Sequence, residues 1–493
     1  MPIPQKTQLT PAERKFFLLV SQAVLANPFS DERVESDLKI SGLFPGVSDH
    51  DRLQKTIAEV SKRIDALEKK GGADIHRYSG KDRGLIEYAV LFDVFHRYFE
   101  RFDALIIAQI QAGDSSLKVP FASEALELLK QRGFSSETAL RYFAICFQLR
   151  RAFFFIETNL VGRSPAMKRL RKQLWNNVFT YNLDTYDRFL WNRMEDFSTL
   201  LLGETGTGKG TAASAIGQSG YIPFDEKKQQ FAESFSRSFV SLNLSQYPET
   251  IIESELFGHK KGAFTGAVED FKGVFDRCSP YGAIFLDEIG EVSVPVQIKL
   301  LQVIQERWFT PVGSHEKRRF RGRVIAATNR SFDDLRAKGM MRDDFYYRLC
   351  SDLIVVPPLR HRIREDAGEL DDLLTHTLQR ILGVSSPELT ESVKNAVLKH
   401  PGKEYHFPGN VRELEQCVRR ILLDPDMTEI SSFKASDLSS QLKSGIEQGN
   451  LSADELLSGY CRLLYERYGT IEAVARKTNL DRRTVKKHLS AAI

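Results

Sequence analysis

The chain has 493 residues, 42% of them hydrophobic and 27% charged, which is the composition of a globular protein of roughly two to four domains. No run approaches the ~18 uninterrupted apolar residues of a membrane span. The first residues lack a basic-then-apolar export signal, so a cytoplasmic protein is expected. The net charge of +4 is unevenly spread, since Gly459–Ile493 holds eight Lys/Arg against three Asp/Glu, a balance that suits a nucleic-acid-binding tail.

The first ~158 residues read as helices. Ser48–Lys70 is a polar amphipathic run ended by Gly71-Gly72, Leu85–Ile110 carries Phe95, Phe99 and Phe102 on one face, and Thr138–Phe155 is equally aromatic. No strand–helix alternation is present in this stretch, which disfavours a phosphoacceptor receiver domain. Three roles stay open for it: binding a small effector, binding a regulatory protein, or assisting oligomerisation. Cys146, Cys278, Cys350, Cys417 and Cys461 stand far apart without metal-ligand spacing and are expected as free thiols.

From about Leu160 short apolar runs alternate with helical patterns: TLLLG at Thr199–Gly203, AIFLD at Ala283–Asp287 and RVIAAT at Arg323–Thr328. Such runs predict parallel strands buried on both faces of an α/β layer structure. The first leads into Gly203-Glu204-Thr205-Gly206-Thr207-Gly208-Lys209 and a helical run. Glycines let backbone N–H groups converge on a phosphate at a helix N-terminus, and Lys209 adds charge for the β- and γ-phosphates of ATP. Gly210 stands where Ser or Thr usually ligates Mg²⁺, with Thr211 one residue on. The second run ends in Asp287-Glu288, an acidic pair able to hold Mg²⁺ through water (Asp287) and to polarise the attacking water (Glu288).

Between these motifs lies Gly262-Ala263-Phe264-Thr265-Gly266-Ala267. On the residues alone, two readings stay open: a tight turn with Phe264 in the core, or an exposed aromatic that meets a partner. Ser436–Asn450 reads as a linker, and the last ~40 residues as short helices. There Ile471, Val474 and Ala475 form one apolar face, Thr478–Leu480 turns, and Val485 and Leu489 face inward. This leaves Arg482, Arg483, Thr484, Lys486, Lys487 and His488 for DNA.

Over Leu160 to about Leu423 the chain resembles the AAA+ domain of sigma-54-dependent activators, the bacterial enhancer-binding proteins. The resemblance is carried in order by VGRSPAM (Val161–Met167), the two nucleotide motifs, ESELFGHKKGAFTGA (Glu253–Ala267), AATNR (Ala326–Arg330), MRDDFYYRL (Met341–Leu349), VPPLRHR (Val356–Arg362) and FPGNVREL (Phe407–Leu414). It implies a P-loop NTPase core with a helical lid, in which Val161 and Gly162 join the phosphate loop in binding nucleotide. Thr328 and Asn329 match sensor I, Arg412 matches sensor II on a helix that Asn410 caps, and Asn243 matches an asparagine coupled to the catalytic glutamate. Arg342 and Arg348 match arginine fingers acting across a subunit interface, although on spacing alone either arginine suits a surface ion pair with Asp343 or Asp344. The loop Gly262–Ala267 matches the GAFTGA element that engages sigma-54, and the tail resembles a Fis-type helix-turn-helix.

The resemblance therefore implies an ATPase that binds enhancer-like DNA and remodels sigma-54 RNA polymerase from a homo-oligomeric ring, the alternative being an ATP-binding DNA regulator that does not remodel sigma-54. The expected domains are 1–158, all-α and regulatory; 159–424, ATPase; 425–455, linker; and 456–493, helix-turn-helix. The chain departs from the family in segments around 172–197 and 221–238, which are expected to alter the nucleotide pocket mouth or the subunit interface. Phe407 and Gly210 also replace the family's usual Trp and Glu.

Overall fold

The N-terminal third folds as helices for reasons visible in its caps. Helix α1 (Pro11–Leu25) opens on a capping box of Thr10 and Glu13 with Pro11 in its first turn. Helix α2 (Asp31–Ser41), α3 (Asp49–Lys69) and α6 (Ser136–Asn159) are each capped by a serine hydroxyl, from Ser30, Ser48 and Ser135. Between the last two lie α4 (Gly80–Ala112) and α5 (Ala122–Gln131). The three expected helices are present, α4 and α6 each longer at both ends than their apolar runs.

These coordinates come from a computed structural model that describes residues 7–399, 405–424, 442, 445, 446, 449 and 451–490. The chain divides into two compact units, Met1–Thr390 with His406–Gln416, and Glu391–Tyr405 with Cys417–Ile493. In the first unit a five-stranded parallel sheet follows the helices. Its strands are β1 (Thr199–Leu202), β2 (Phe239–Asn243), β3 (Ala283–Asp287), β4 (Arg323–Thr328) and β5 (Asp352–Val355), ordered β2-β3-β4-β1-β5. The three expected strands occupy the centre, and the two edges, β2 and β5, are additional.

Alternation along the strands divides the apolar side chains between two cores. Leu201, Phe285 and Ile325 face a core shared with the N-terminal helices, whereas Leu200, Ile284, Leu286 and Val324 face a second core with Val296, Leu300 and Phe345. The helices of residues 1–158 thus share one continuous hydrophobic core with a face of the sheet. The two family departures lie along that seam. Phe224 and Phe231, on a small antiparallel hairpin, pack against Phe143 of α6, and Phe235 packs against Phe155. Tyr186 is fully buried against Phe179 of α7 (Pro165–Phe179) and donates its hydroxyl to Gln148 at 2.8 Å. The segments around 172–197 and 221–238 therefore join helices to sheet.

The second unit holds helices Ala453–Tyr468, Ile471–Thr478 and Arg482–Ser490 around Cys461, Leu464, Val474 and Val485. The first of these starts inside the segment expected as linker, behind a Ser452/Glu455 capping box. Residues 425–441 of that linker, and 491–493 of the tail, lie outside the described residues. All five cysteines are free thiols.

Candidate functional site

Three central strands deliver the chemistry-bearing residues at their C-terminal ends, the usual ligand edge of an open α/β sheet. Strand β1 leads into the phosphate loop and then helix α8 (Lys209–Gly217). Strand β3 ends at Asp287 and β4 at Thr328. The loop's curvature depends on Gly206, whose φ is +78° and where a side chain would collide with the Gly409 carbonyl. The Gly206 carbonyl accepts from the Val411 amide at 3.1 Å, so the start of helix Asn410–Leu423, which carries exposed Arg412, lies against the loop.

Lys209 is buried, and its Nζ donates to the carbonyls of Gly203 (2.9 Å) and Glu204 (3.3 Å). Burial pushes its pKa down while the charges of Glu288 and Asp287 oppose that shift, so ammonium and acidic pair share one electrostatic site. Glu288 sits in left-handed backbone at φ +56°, a conformation costly for a non-glycine residue and common at functional positions. Its pKa is raised by burial first and by the Asp287 charge, against the Lys209 charge and a hydrogen bond from the Asn329 backbone. Asn329 also donates its side-chain amide to Thr205 Oγ1 at 3.1 Å, tying β4 to the phosphate loop. Thr328 is buried, its hydroxyl accepting from the Arg330 amide at 3.1 Å.

Two residues anchor the loop in roles their local sequence did not indicate. Arg360 grips the Glu204 carboxylate through both terminal nitrogens, at 2.6 and 2.5 Å, and holds its pKa well below the usual range. Asn410 donates to Glu204 and to the Thr205 carbonyl (3.2 and 3.0 Å) and accepts from the Leu359 amide at 2.8 Å. With its side chain turned to the loop, Asn410 does not cap its own helix as the sequence suggested; it is the first helical residue.

Val161 and Gly162 lie over a buried ion pair. Arg362 meets Glu369 at 2.8 Å and donates to the Val161 carbonyl at 2.6 Å. A side chain at Gly162, where φ is +130°, would collide with the Glu369 carboxylate. Removing one partner strands the other's charge away from water, so Glu369→Ala is expected to cost about 3–5 kcal/mol, read as a lowered denaturant midpoint.

The remaining expected residues are dispersed. Asn243 ends β2 beside Asp287, and its side-chain oxygen accepts from the Ser245 amide and hydroxyl at 3.0 and 2.7 Å, a turn-forming role. Arg342 is exposed and paired with Asp344 at 2.7 Å, the ion pair its spacing suggested. Arg348 is exposed and forms no ion pair with a described residue. In Gly262–Ala267, Gly262 (φ +81°) and Gly266 (φ +102°) shape a loop closed by a hydrogen bond from the Gly262 amide to the Ala267 carbonyl at 2.8 Å. Phe264 is 44% exposed, its ring touching only the edge of His259 among the described rings, and neighbouring Val268 is 79% exposed. The core alternative for Phe264 is thereby removed.

In the tail Arg482, Arg483, Lys486 and Lys487 are exposed, Arg482 pairing with Glu472 at 3.3 Å. Thr484 is turned to the helix start, its hydroxyl donating to Asp481 at 2.6 Å. His488 is corrected: it is buried, with Nδ1 2.9 Å from the Ser458 hydroxyl, and does not face solvent. It stands three residues after buried Val485 and so shares the inward face.

Residues 183–354 match the family model described as the sigma-54 interaction domain. The Nif-specific regulatory protein of Azotobacter vinelandii is 38% identical over 328 residues, 65% of this chain and 56% of that protein. The protein of the same name from Bradyrhizobium diazoefficiens is 42% identical over 223 residues, covering 45% and 35%. The DNA-binding transcriptional regulator NtrC of Azospirillum brasilense is 35% identical over 262 residues, covering 53% and 47%. The chain thus spans about a third to just over half of the length of these relatives.

Proposed function

We propose that the chain, whose residues 183–354 match the sigma-54 interaction domain, is an AAA+ ATPase that couples ATP hydrolysis to transcription from sigma-54 promoters. The observation that carries this reading is the pairing, on one sheet domain, of a built phosphate site with an aromatic loop held out of the core. Lys209 and the backbone N–H groups at the start of α8 hold the ATP phosphates, since a helix N-terminus has four amides without intrahelical partners. Glu288, with its raised pKa and its hydrogen bond from Asn329, orients the attacking water and accepts its proton.

A Mg²⁺ ion bound with the nucleotide would supply positive charge to neutralise the phosphates. Asp287 is the carboxylate that fits it, through water, with Thr211 the nearest following hydroxyl because Gly210 has none. Thr328, Asn329 and Arg412 surround the γ-phosphate side of the loop, and Arg342 and Arg348 serve a neighbouring subunit's nucleotide. The exposed basic side chains Arg482, Arg483, Lys486 and Lys487 bind DNA, mainly through phosphates.

Phe264 and Thr265 contact sigma-54. Phe264→Ala is expected to change stability by less than about 1 kcal/mol, against the roughly 3–5 kcal/mol of a core phenylalanine. It should keep ATPase activity while losing capture of sigma-54 in the presence of ADP and aluminium fluoride. Melting, hydrolysis and capture measured on one preparation test this. Full capture by Phe264→Ala removes the loop from the partner contact.

A further inference from the structure

The N-terminal helices enclose a cavity of about 630 Å³, within the range of small-molecule sites. Aromatic rings line one part of its wall. Phe29 stacks on Phe153 with ring centroids 5.4 Å apart and meets Trp175 edge-on at 6.1 Å. His96 lies against Phe92, Phe95 and Phe99, with centroids 4.0, 4.9 and 6.0 Å away. Such rings offer flat, polarisable contact to another aromatic system.

Polar groups on the wall restrict what fits. Arg150 is paired with Asp103 at 2.6 Å and Arg33 with Asp37 at 2.9 Å, so the cations are already neutralised by the protein's own carboxylates. An anionic ligand would lose its hydration without gaining an unpaired cation. His96 is different. Its Nδ1 lies 2.8 Å from the Phe92 carbonyl, which can only accept, so Nδ1 carries the proton and Nε2 is a lone-pair acceptor. No described residue donates to Nε2, and desolvation of the half-buried ring, with the Arg33 and Arg150 charges beside it, favours the neutral form.

We propose that this cavity is an effector site for an uncharged, planar aromatic molecule carrying one hydroxyl or N–H donor, which hydrogen-bonds to His96 Nε2. One wall is helix α6, through Cys146, Leu149, Arg150 and Phe153. From the same helix Gln148 donates to the Ser219 carbonyl at 2.9 Å, and Arg151, fully buried, donates to those of Gln218 and Gly220 at 2.8 and 2.7 Å. These carbonyls belong to the three residues that directly follow helix α8, whose first residue is Lys209 of the phosphate loop. A ligand that shifts or stiffens α6 therefore acts on the far end of the phosphate-loop helix. Binding stands independently of the ATPase reading, and only this coupling rests on it.

The test uses the full chain and three two-ring probes: 2-naphthol, its methyl ether and 2-naphthoate. Calorimetry should show one 2-naphthol per chain, with the ether about five- to tenfold weaker and naphthoate unbound at millimolar concentration. His96→Phe should remove the preference for 2-naphthol over its ether while keeping the fold. If that variant fails to fold, Cys146→Phe, which fills the cavity from α6, should abolish binding of both. Absence of 2-naphthol binding, binding of naphthoate as tight as that of 2-naphthol, or a preference for the hydroxyl that survives His96→Phe would overturn the site. With binding established, 2-naphthol should change the KM for ATP at least about twofold, and Arg151→Ala should abolish that change. An ATPase that ignores bound 2-naphthol overturns the coupling and leaves the site. Binding without any ATPase activity overturns the hydrolysis reading instead.

Discussion

Glu288→Gln is expected to lower ATP turnover by about 10²–10⁴-fold while leaving nucleotide affinity within a few-fold of the parent. The amide keeps the size and much of the hydrogen bonding of the carboxylate but cannot take a proton from water. Lys209 and the loop amides, which meet phosphate in the ground state, are untouched. Lys209→Ala should show the reverse pattern, losing affinity first. The raised pKa of Glu288 adds a signature: the base protonates at higher pH than an ordinary glutamate, so turnover should begin to fall with acidification while other carboxylates remain ionised. Turnover within tenfold of the parent in Glu288→Gln, at full ATP saturation, would take that residue out of the chemistry.

Arg348→Ala is expected to lower turnover by about 10³–10⁵-fold, the range for a guanidinium that neutralises phosphoryl charge in the transition state. Within the chain Arg348 is exposed and pairs with no described carboxylate, whereas Arg342 is held by Asp344. Arg348 is therefore the better candidate for the main finger, whereas a finger role for Arg342 would require it to exchange Asp344 for phosphate. If the finger acts in trans, mixing inactive Arg348→Ala with inactive Glu288→Gln should restore part of the activity. Interfaces that join the intact glutamate of one subunit to the intact arginine of its neighbour are complete. No recovery on mixing, with mixed oligomers demonstrated, would place the arginine's role within its own subunit.

The central sheet was legible because β1, β3 and β4 are buried on both faces and read as unbroken apolar runs ending in chemistry. The edge strands were not: both are half exposed, FVSLN is mixed in sequence, and the apolar run Leu353–Val356 leads into Pro357-Pro358 rather than into a chemistry-bearing motif. Phosphate-loop glycines, the acidic pair and the GAFTGA loop are local in sequence and were found. Arg360 and Asn410 lie more than 150 residues from the Glu204 they hold, at |i−j| of 156 and 206, and only folding brings them together. The two departures around 172–197 and 221–238 looked like additions near the nucleotide. Their aromatic residues were the clue to a core, but not to which core, because their partners Phe143, Gln148 and Phe155 lie on a distant helix. The basic neighbours of His488 point to DNA, but its periodicity, three residues after buried Val485, puts it on the inward face. The extra tail helix could have been found from Ser452 and Glu455, a capping box directly before its start.

Transmission of ATP hydrolysis through the loop at Phe264 and Thr265 to sigma-54 polymerase, as proposed, is read out by open-complex formation on a sigma-54 promoter with a bound site for this protein, comparing the parent with Thr265→Ala. The parent should melt the promoter only with hydrolysable ATP. Thr265→Ala should hydrolyse ATP at the parental rate and melt nothing. Promoter melting by Thr265→Ala at the parental rate, or no melting by an actively hydrolysing parent bound upstream, would contradict the account.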